Sequence, residues 1–276
     1  MPASPMPSHP ALTEVTAHPG RRRFATLRAI AALMMREMST SGGRSASGIL
    51  WQIAEPAAGI FLLTMVFGVI SRTPPLGTNF PIFYATGVVP FMCYSVLSNK
   101  MTYAVPFSKQ LLAYPAVTAW DAMTARFLTN FVIQLLVAYL VYVGILMFQE
   151  TRTDPQIMGI ALGFAMTGAF AAGLGVLNGF IIMAFHPWER IYNVLTRPLF
   201  ILSCIIFTFE SVPQPYRDYL WWNPLIHCVG QIRKSFYPSY TGDYVSPGYV
   251  FFTSLVMLVV GLALFNRYGR DLVTTT

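Results

Sequence analysis

The sequence predicts an all-α membrane protein: six transmembrane helices, an N-terminal amphipathic interface helix, and short re-entrant helices between spans five and six. Three observations lead there. The 276 residues are 55% apolar and only 11% charged, less than half the roughly 25% charge of a soluble domain. The apolar residues gather in six runs near or beyond the ~20 residues needed to cross ~30 Å of hydrocarbon. Polar helices that could cover such runs in a soluble core are not visible. The net charge of +7 could suggest nucleic acid, but too few charges exist to wet a soluble binder.

Residues 1–20, rich in Pro, Ser and Ala, read as a disordered tail, and residues 21–276 as one six-span domain. A cleaved signal peptide would place an apolar stretch directly after Arg21–Arg23. That segment is instead broken by Arg28, Arg36 and Glu37. Residues 24–38 read as an amphipathic helix with Phe24, Leu27, Ile30, Met34 and Met38 on one face and Arg22 and Arg36 opposite, while Leu33 falls off the stripe. Such a helix lies in the headgroup region, either only orienting the chain or also touching a cytoplasmic subunit.

The spans fall at about 49–70, 80–98, 122–148, 157–185, 191–210 and 248–266. An even number puts both termini on one side. Thirteen basic residues would share that side, among them Arg21–Arg23, Arg36, Lys100, Lys109, Arg126, Arg190, Arg197 and Arg267. Five would lie opposite: Arg72, Arg152, Arg217, Arg233 and Lys234. The positive-inside bias makes both termini cytoplasmic.

Chemistry-bearing signatures are missing. Cys93, Cys204 and Cys228 and the scattered His9, His18, His186 and His227 form neither a CxxC nor a ligand spacing, so no metal, haem or disulfide is expected. Lys100, Lys109 and Lys234 are preceded by Asn99, Ser108 and Arg233, which excludes a Gly-Lys phosphate loop. Any ATP and Mg would therefore be bound by a separate polypeptide. Five of the six runs lack a mid-span carboxylate, and Glu55 lies near a helix end. That is thin support for an ion-coupled carrier acting alone.

Polar residues within the runs suggest contacts. Arg126, Asn130 and Gln134 recur every four residues on one face of span three, as do Gln52, Glu55 and Gly59 on span one. With Trp51, Tyr84, Tyr94, Tyr139 and Tyr142 they could line a conduit for a hydroxyl-rich substrate, or simply bond helices together and form an aromatic belt. A Glu55–Arg126 pair would neutralise two costly charges. Gly159-xxx-Gly163 and Gly175-xxx-Gly179 suit close helix packing.

Two loops stand out. In residues 104–115, Pro106 and Pro115 bracket a half-apolar segment with Phe107, Lys109, Leu111 and Tyr114. A short helix there could insert into a groove on another protein or rest on lipid. Residues 211–247 are too long for a plain turn and carry Tyr219, Trp221, Trp222 and Arg233. They read as two short helices re-entering the outer leaflet, or as interfacial aromatics anchoring the last span.

The ordered set Gly48-Ile-Leu-Trp51, Glu55-Pro56, Phe67-Gly68, Phe83-Tyr-Ala-Thr-Gly87-Val-Val-Pro90-Phe91, Lys109-Gln-Leu-Leu112, Tyr114-Pro115-Ala-Val117, Asp121, Ala125-Arg126, Asn223-Pro224-Leu-Ile-His227 and Ile232-Arg233 resembles the permeases of bacterial capsular polysaccharide ABC exporters, the KpsM/Wzm-like type. The resemblance covers residues 25 to 270. Gly230 departs from it, since relatives often place Glu there. The resemblance implies an inner-membrane homodimer with two copies of a nucleotide-binding ATPase, exporting lipid-linked polysaccharide to periplasmic and outer-membrane partners. It also implies a coupling helix carrying Phe107, Lys109, Leu111 and Tyr114. A canal would use Trp51, Gln52, Glu55, Arg126, Asn130 and Gln134, and an external gate Tyr219, Trp221, Trp222 and Arg233. Another lipid-linked glycan (O-antigen, lipo-oligosaccharide), an amphipathic small molecule, an ion-coupled carrier and a non-transporting scaffold remain alternatives.

Overall fold

The structure is a computed structural model, and it describes residues 25–40, 46–71, 73–107 and 119–275. Its helices, in order, are α1 (Ala25–Thr40), α2 (Ala46–Ile70), α3 (Phe80–Thr102), α4 (Ala119–Phe148), α5 (Ile157–Ala184), α6 (Pro187–Leu202), α7 (Tyr216–Trp221), α8 (Pro224–Phe236) and α9 (Pro247–Thr275). A single 3-10 turn, Phe209–Ser211, lies between α6 and α7. The predicted all-helical architecture is present.

Among the described residues, five helices are long and apolar enough to cross a membrane: Leu50–Ile70, Phe80–Thr102, Trp120–Phe148, Ile157–Ala184 and Pro247–Tyr268. The two central ones bury most of their apolar stretch, 67% for α3 and 56% for α5, against 11% for α2 and 17% for α9. α3 and α5 therefore form the core, with α2, α4 and α9 around it. The start of α3 is set locally: the Asn79 side chain accepts from the Ile82 N–H, and Pro81 occupies the first turn, where its missing N–H costs nothing.

Glycine lets these helices approach. A Cβ on Gly179 would meet the Thr102 carbonyl oxygen at 2.5 Å, and one on Gly175 would meet Met101 at 2.5 Å. Gly159 and Gly163 instead face Ser235 and Ile232 of α8. The small-residue stripes of span four thus serve packing, against α3 at one end and α8 at the other. Asn178 seals the first contact. It donates to Thr102 Oγ1 (3.4 Å) and accepts from Trp188 Nε1 (2.7 Å).

The fifth apolar run departs from expectation. In place of one helix over 191–210, α6 stops at Leu202. Its 16 residues cover about 24 Å at 1.5 Å each, short of the ~30 Å core. None of them is buried. Glu189, Arg190, Asn193, Thr196 and Arg197 interrupt its apolar face, and Pro198 removes a ladder donor. The chain leaves the helix through Ser203, whose hydroxyl bonds back to the Leu199 carbonyl (2.6 Å), and through Cys204 at φ 56°. α6 nonetheless runs antiparallel beside α3. Glu189 accepts from the Tyr103 hydroxyl, Tyr192 meets Ser98, Phe200 meets Phe91, and Ile205 lies against Gly87.

Among the described residues the interface helix covers Ala25–Thr40, reaching two residues past the expected end at 38, and packs on α4. Its inner face differs from the predicted stripe. Met38 is exposed, whereas Glu37 is buried and Leu33 is half-buried. The carboxylate can turn inward because a cation waits there.

Candidate functional site

Four of the six canal residues come together. Gln52 and Glu55 of α2, with Asn130 and Gln134 of α4, line a cavity of about 180 Å³ whose floor is α3. Lys100 and Ser95 join them, and Pro56, Val89, Met92 and Val137 complete the wall. The four-residue spacing on α4 does put Asn130 and Gln134 on one face, but part of Asn130 serves its own helix. Its amide donates to the Arg126 carbonyl at 2.8 Å.

Trp51 and Arg126 are elsewhere. Trp51 is 70% exposed. Arg126 is buried one turn before Asn130, where its Nε lies 3.6 Å from Glu37 Oε1 and its guanidinium sits 4.1 Å from the Phe107 ring centroid. The expected Glu55–Arg126 pair is therefore replaced by Glu37–Arg126. Sequence reasoning named Glu37 only as one of the charges that break this segment, and its seating on α4 reveals the partner. This junction joins α1, α4 and residues 104–107. Phe107 is the one predicted coupling residue the structure describes; Lys109, Leu111 and Tyr114 lie outside the described residues.

A second cavity, about 280 Å³, separates α6 from α3. Its walls carry Phe91, Tyr94, Tyr192 and Phe200, and its polar groups are Ser95, Ser98, Asn99, Asn193, Thr196 and Arg197. Tyr94 stacks on Phe170 (5.4 Å, 18°), and Phe91 meets Phe200 edge-on (5.2 Å). Ser98 Oγ and the Tyr192 hydroxyl are 3.3 Å apart, and the buried Tyr94 hydroxyl lies beside them. Aromatic planes interleaved with hydroxyls, amides and one guanidinium offer both faces and polar partners to a hydroxylated ligand. Of these residues the sequence pointed only to Tyr94. The available signal was Asn193, Thr196 and Arg197 at i, i+3 and i+4, one polar face on an otherwise apolar run.

The predicted gate residues do not form one constellation. Tyr219 and Trp222 are exposed, at 76% and 67%. Trp221 is half-buried; its Nε1 donates to the Tyr244 carbonyl and its ring packs on His227 and Tyr249. Arg233 is wholly interior, with no exposed surface. Its Nη1 donates to the carbonyls of Cys204 (2.7 Å) and Phe207 (2.8 Å), its Nη2 donates to Ile205 (2.7 Å), and the guanidinium covers Phe83 at 4.4 Å. These are the carbonyls freed where α6 stops. One planar, five-donor group on α8 thus stabilises the break in the fifth run.

His227 is held neutral by the same packing. Its Nε2–H donates to the Trp221 carbonyl (2.9 Å), and Nδ1 accepts from the Ser246 N–H (3.2 Å). Burial lowers its pKa below the ordinary histidine value. The sign follows: with the folded pKa depressed, its contribution to stability is full above the unfolded value of about 6.5. Loss begins as pH falls through that value and is complete once the lowered pKa is passed. Amide protection of Ser246 and α8 in hydrogen exchange is expected to fall as pH drops below about 6.5. His227→Gln should flatten that dependence; unchanged protection across the range would refute it.

The comparisons with known proteins agree with this layout. Residues 28–237 match the ABC-2 type transporter family. A protein named polysialic acid transport protein KpsM from Escherichia coli is 31% identical, covering 89% of this chain and 95% of the relative. The capsule polysaccharide export inner-membrane proteins CtrC of Neisseria meningitidis and BexB of Haemophilus influenzae are 24% and 25% identical. Each match covers 88% of this chain and 92% of the relative. A match over most of the chain, through the core helices and both cavities, places this protein in the ABC-2 type transporter membrane family.

Proposed function

We propose that this chain is the transmembrane permease subunit of an ATP-driven exporter that moves lipid-linked capsular polysaccharide across the inner membrane. The observation that carries the reading is near-full-length similarity to relatives named for capsule or polysialic acid transport. The cavity between α3 and α6 supports it, since its paired aromatics and hydroxyl-bonding groups suit sugar rings.

On this reading two copies of the chain work with two copies of a separate ATPase. α6 and the extended residues after it make the sixth crossing, running antiparallel to α3. The end bearing α1 faces the cytoplasm, because Arg28, Arg36, Lys100, Arg126, Arg190, Arg197 and Arg267 gather toward it. The loop at 104–115 receives the ATPase. Phe107, stacked on Arg126, would pass its displacement to α1 and α4. Periplasmic and outer-membrane export proteins would accept the glycan beyond the α8 end, where Tyr219 and Trp222 are exposed.

Vesicles carrying the chain with its ATPase subunit test the proposal. Export of lipid-linked glycan should require ATP hydrolysis and stop with a hydrolysis-deficient ATPase. Tyr192→Ala removes a ring and a hydroxyl partner and should lower export several-fold, the scale of one or two lost hydrogen bonds, while ATP hydrolysis persists. Export that survives the inactive ATPase and collapses when the proton gradient is discharged would overturn the reading in favour of an ion-coupled carrier.

A further inference from the structure

We propose that the cavity among α2, α3 and α4 is a docking pocket for a phosphate-bearing lipid headgroup, its phosphate held by Lys100 and a neighbouring donor on the headgroup read by Glu55. Its size comes first. At 180 Å³ it holds the volume of about six waters, below the roughly 300–1,000 Å³ of sites for larger ligands. A single headgroup fits such a space.

The pocket opens in the right direction. α3 is its floor, and its walls are two helices whose other faces are uncovered, with Leu50, Trp51, Phe61 and Leu62 exposed on α2 and Val132 and Leu136 on α4. Such faces look onto acyl chains, so the pocket can be reached sideways. Its lining is also graded. Gln52, Lys100 and Asn130 lie toward the α1 end, whereas Val89 and Val137 lie deeper along their helices. A lipid whose headgroup sits near the interface has the same polar-to-apolar order.

The charges specify the headgroup. Among the described residues the salt bridge in this region joins Arg126 to Glu37. Lys100 and Glu55 share the pocket without a salt bridge to each other; the anion that acts on Lys100, Glu37, is already engaged by Arg126. A half-buried ammonium is costly without an anion, and its three donors suit phosphate oxygens. Glu55 offers only acceptors, so it selects a headgroup with a hydroxyl or primary ammonium near the phosphate. A quaternary amine lacks that donor.

This chemistry has two sources: a phospholipid of the surrounding leaflet, and the lipid end of the exported glycan. The second deepens the export reading and rests on it; the first does not. The experiment uses the full chain purified with its ATPase, with bound lipid counted by native mass spectrometry. The probes are short-chain phosphatidylglycerol, phosphatidylethanolamine, phosphatidylcholine and diacylglycerol. The first two should be retained about tenfold or more over diacylglycerol, the effect of one hydrogen bond to a charged group, and also favoured over phosphatidylcholine. Lys100→Gln should abolish preference for phosphate. Glu55→Gln should abolish only the preference over phosphatidylcholine. Lys234→Gln, at an exposed site on α8, should change neither.

Equal retention of all four lipids, or a Lys100→Gln complex that binds like the parent, would overturn the pocket. If Lys100→Gln loses lipid retention and export together, the occupant is the cargo's lipid end. If it loses retention while export continues, the occupant is a leaflet phospholipid. Absence of ATP-driven export by the parent would instead fail the functional reading and leave the binding result standing.

Discussion

Arg233→Ala is expected to be the most damaging substitution in the outer part of the molecule. The side chain makes three hydrogen bonds to the carbonyls of Cys204, Ile205 and Phe207 and covers Phe83, all without solvent exposure. A hydrogen bond to a charged group contributes about 1.5–3 kcal/mol, and each abandoned buried carbonyl adds a desolvation cost. Such terms overlap, so a loss on the order of 4 kcal/mol is expected, at the exceptional end for one residue. Arg233→Lys should recover only part, because one ammonium cannot reach three carbonyls in a fixed fork. Cys204 provides a local readout. Its thiol is buried, so an alkylating reagent reaches it only when the local packing opens. With Cys93 and Cys228 replaced by serine, Arg233→Ala should lower the melting temperature and expose Cys204 to alkylation. A thiol that stays protected at an unchanged melting temperature would show that the break after α6 holds without Arg233.

Breaking the α1–α4 junction should have a comparable effect at the other end. Glu37 and Arg126 are 3.6 Å apart with side-chain exposures of 9% and 8%, which makes this a buried pair. Exposed pairs contribute little, whereas removing one member of a buried pair costs about 3–5 kcal/mol because a charge is left in a dry site. Arg126→Met should therefore destabilise strongly and also lose the stacking on Phe107. Adding Glu37→Gln should restore much of the stability, giving a coupling energy of roughly 1–3 kcal/mol in a double-mutant cycle. If the junction also carries the ATPase's motion, the stable double variant should hydrolyse ATP while exporting poorly. Additive effects of the two substitutions would mean that the pair makes no separate contribution.

These residues show why part of the molecule was legible from its sequence. Apolar runs exclude charge over a length the bilayer dictates, so α2, α3, α4, α5 and α9 could be read directly. Four-residue spacing is equally local, and it placed Asn130 and Gln134 on one face before their neighbours were known. The glycine pairs of α5 signalled close packing because a missing Cβ has few other uses in an apolar helix. Which helix each pair meets was not readable, because partner choice is a long-range property: Gly175 and Gly179 approach α3, whereas Gly159 and Gly163 approach α8.

The fifth run shows the limit. Residues 191–210 satisfy a count of apolar residues, yet the helix ends at Leu202 because Arg233, 29 residues beyond Cys204, supplies donors to the released carbonyls. Without that interior guanidinium, the broken helix would leave unsatisfied groups and continuing it would be favoured. Glu37 is the same case in another place: only a charge that interrupts the segment in the sequence, a buried partner once α1 lies on α4. Local chemistry, read from the chain alone, was therefore enough for the membrane class, five of the crossing helices and the polar faces of two of them. The tertiary structure decided which charges pair, where the fifth run stops and how the two cavities are walled, because each depends on groups far apart in sequence whose burial makes a missing partner costly.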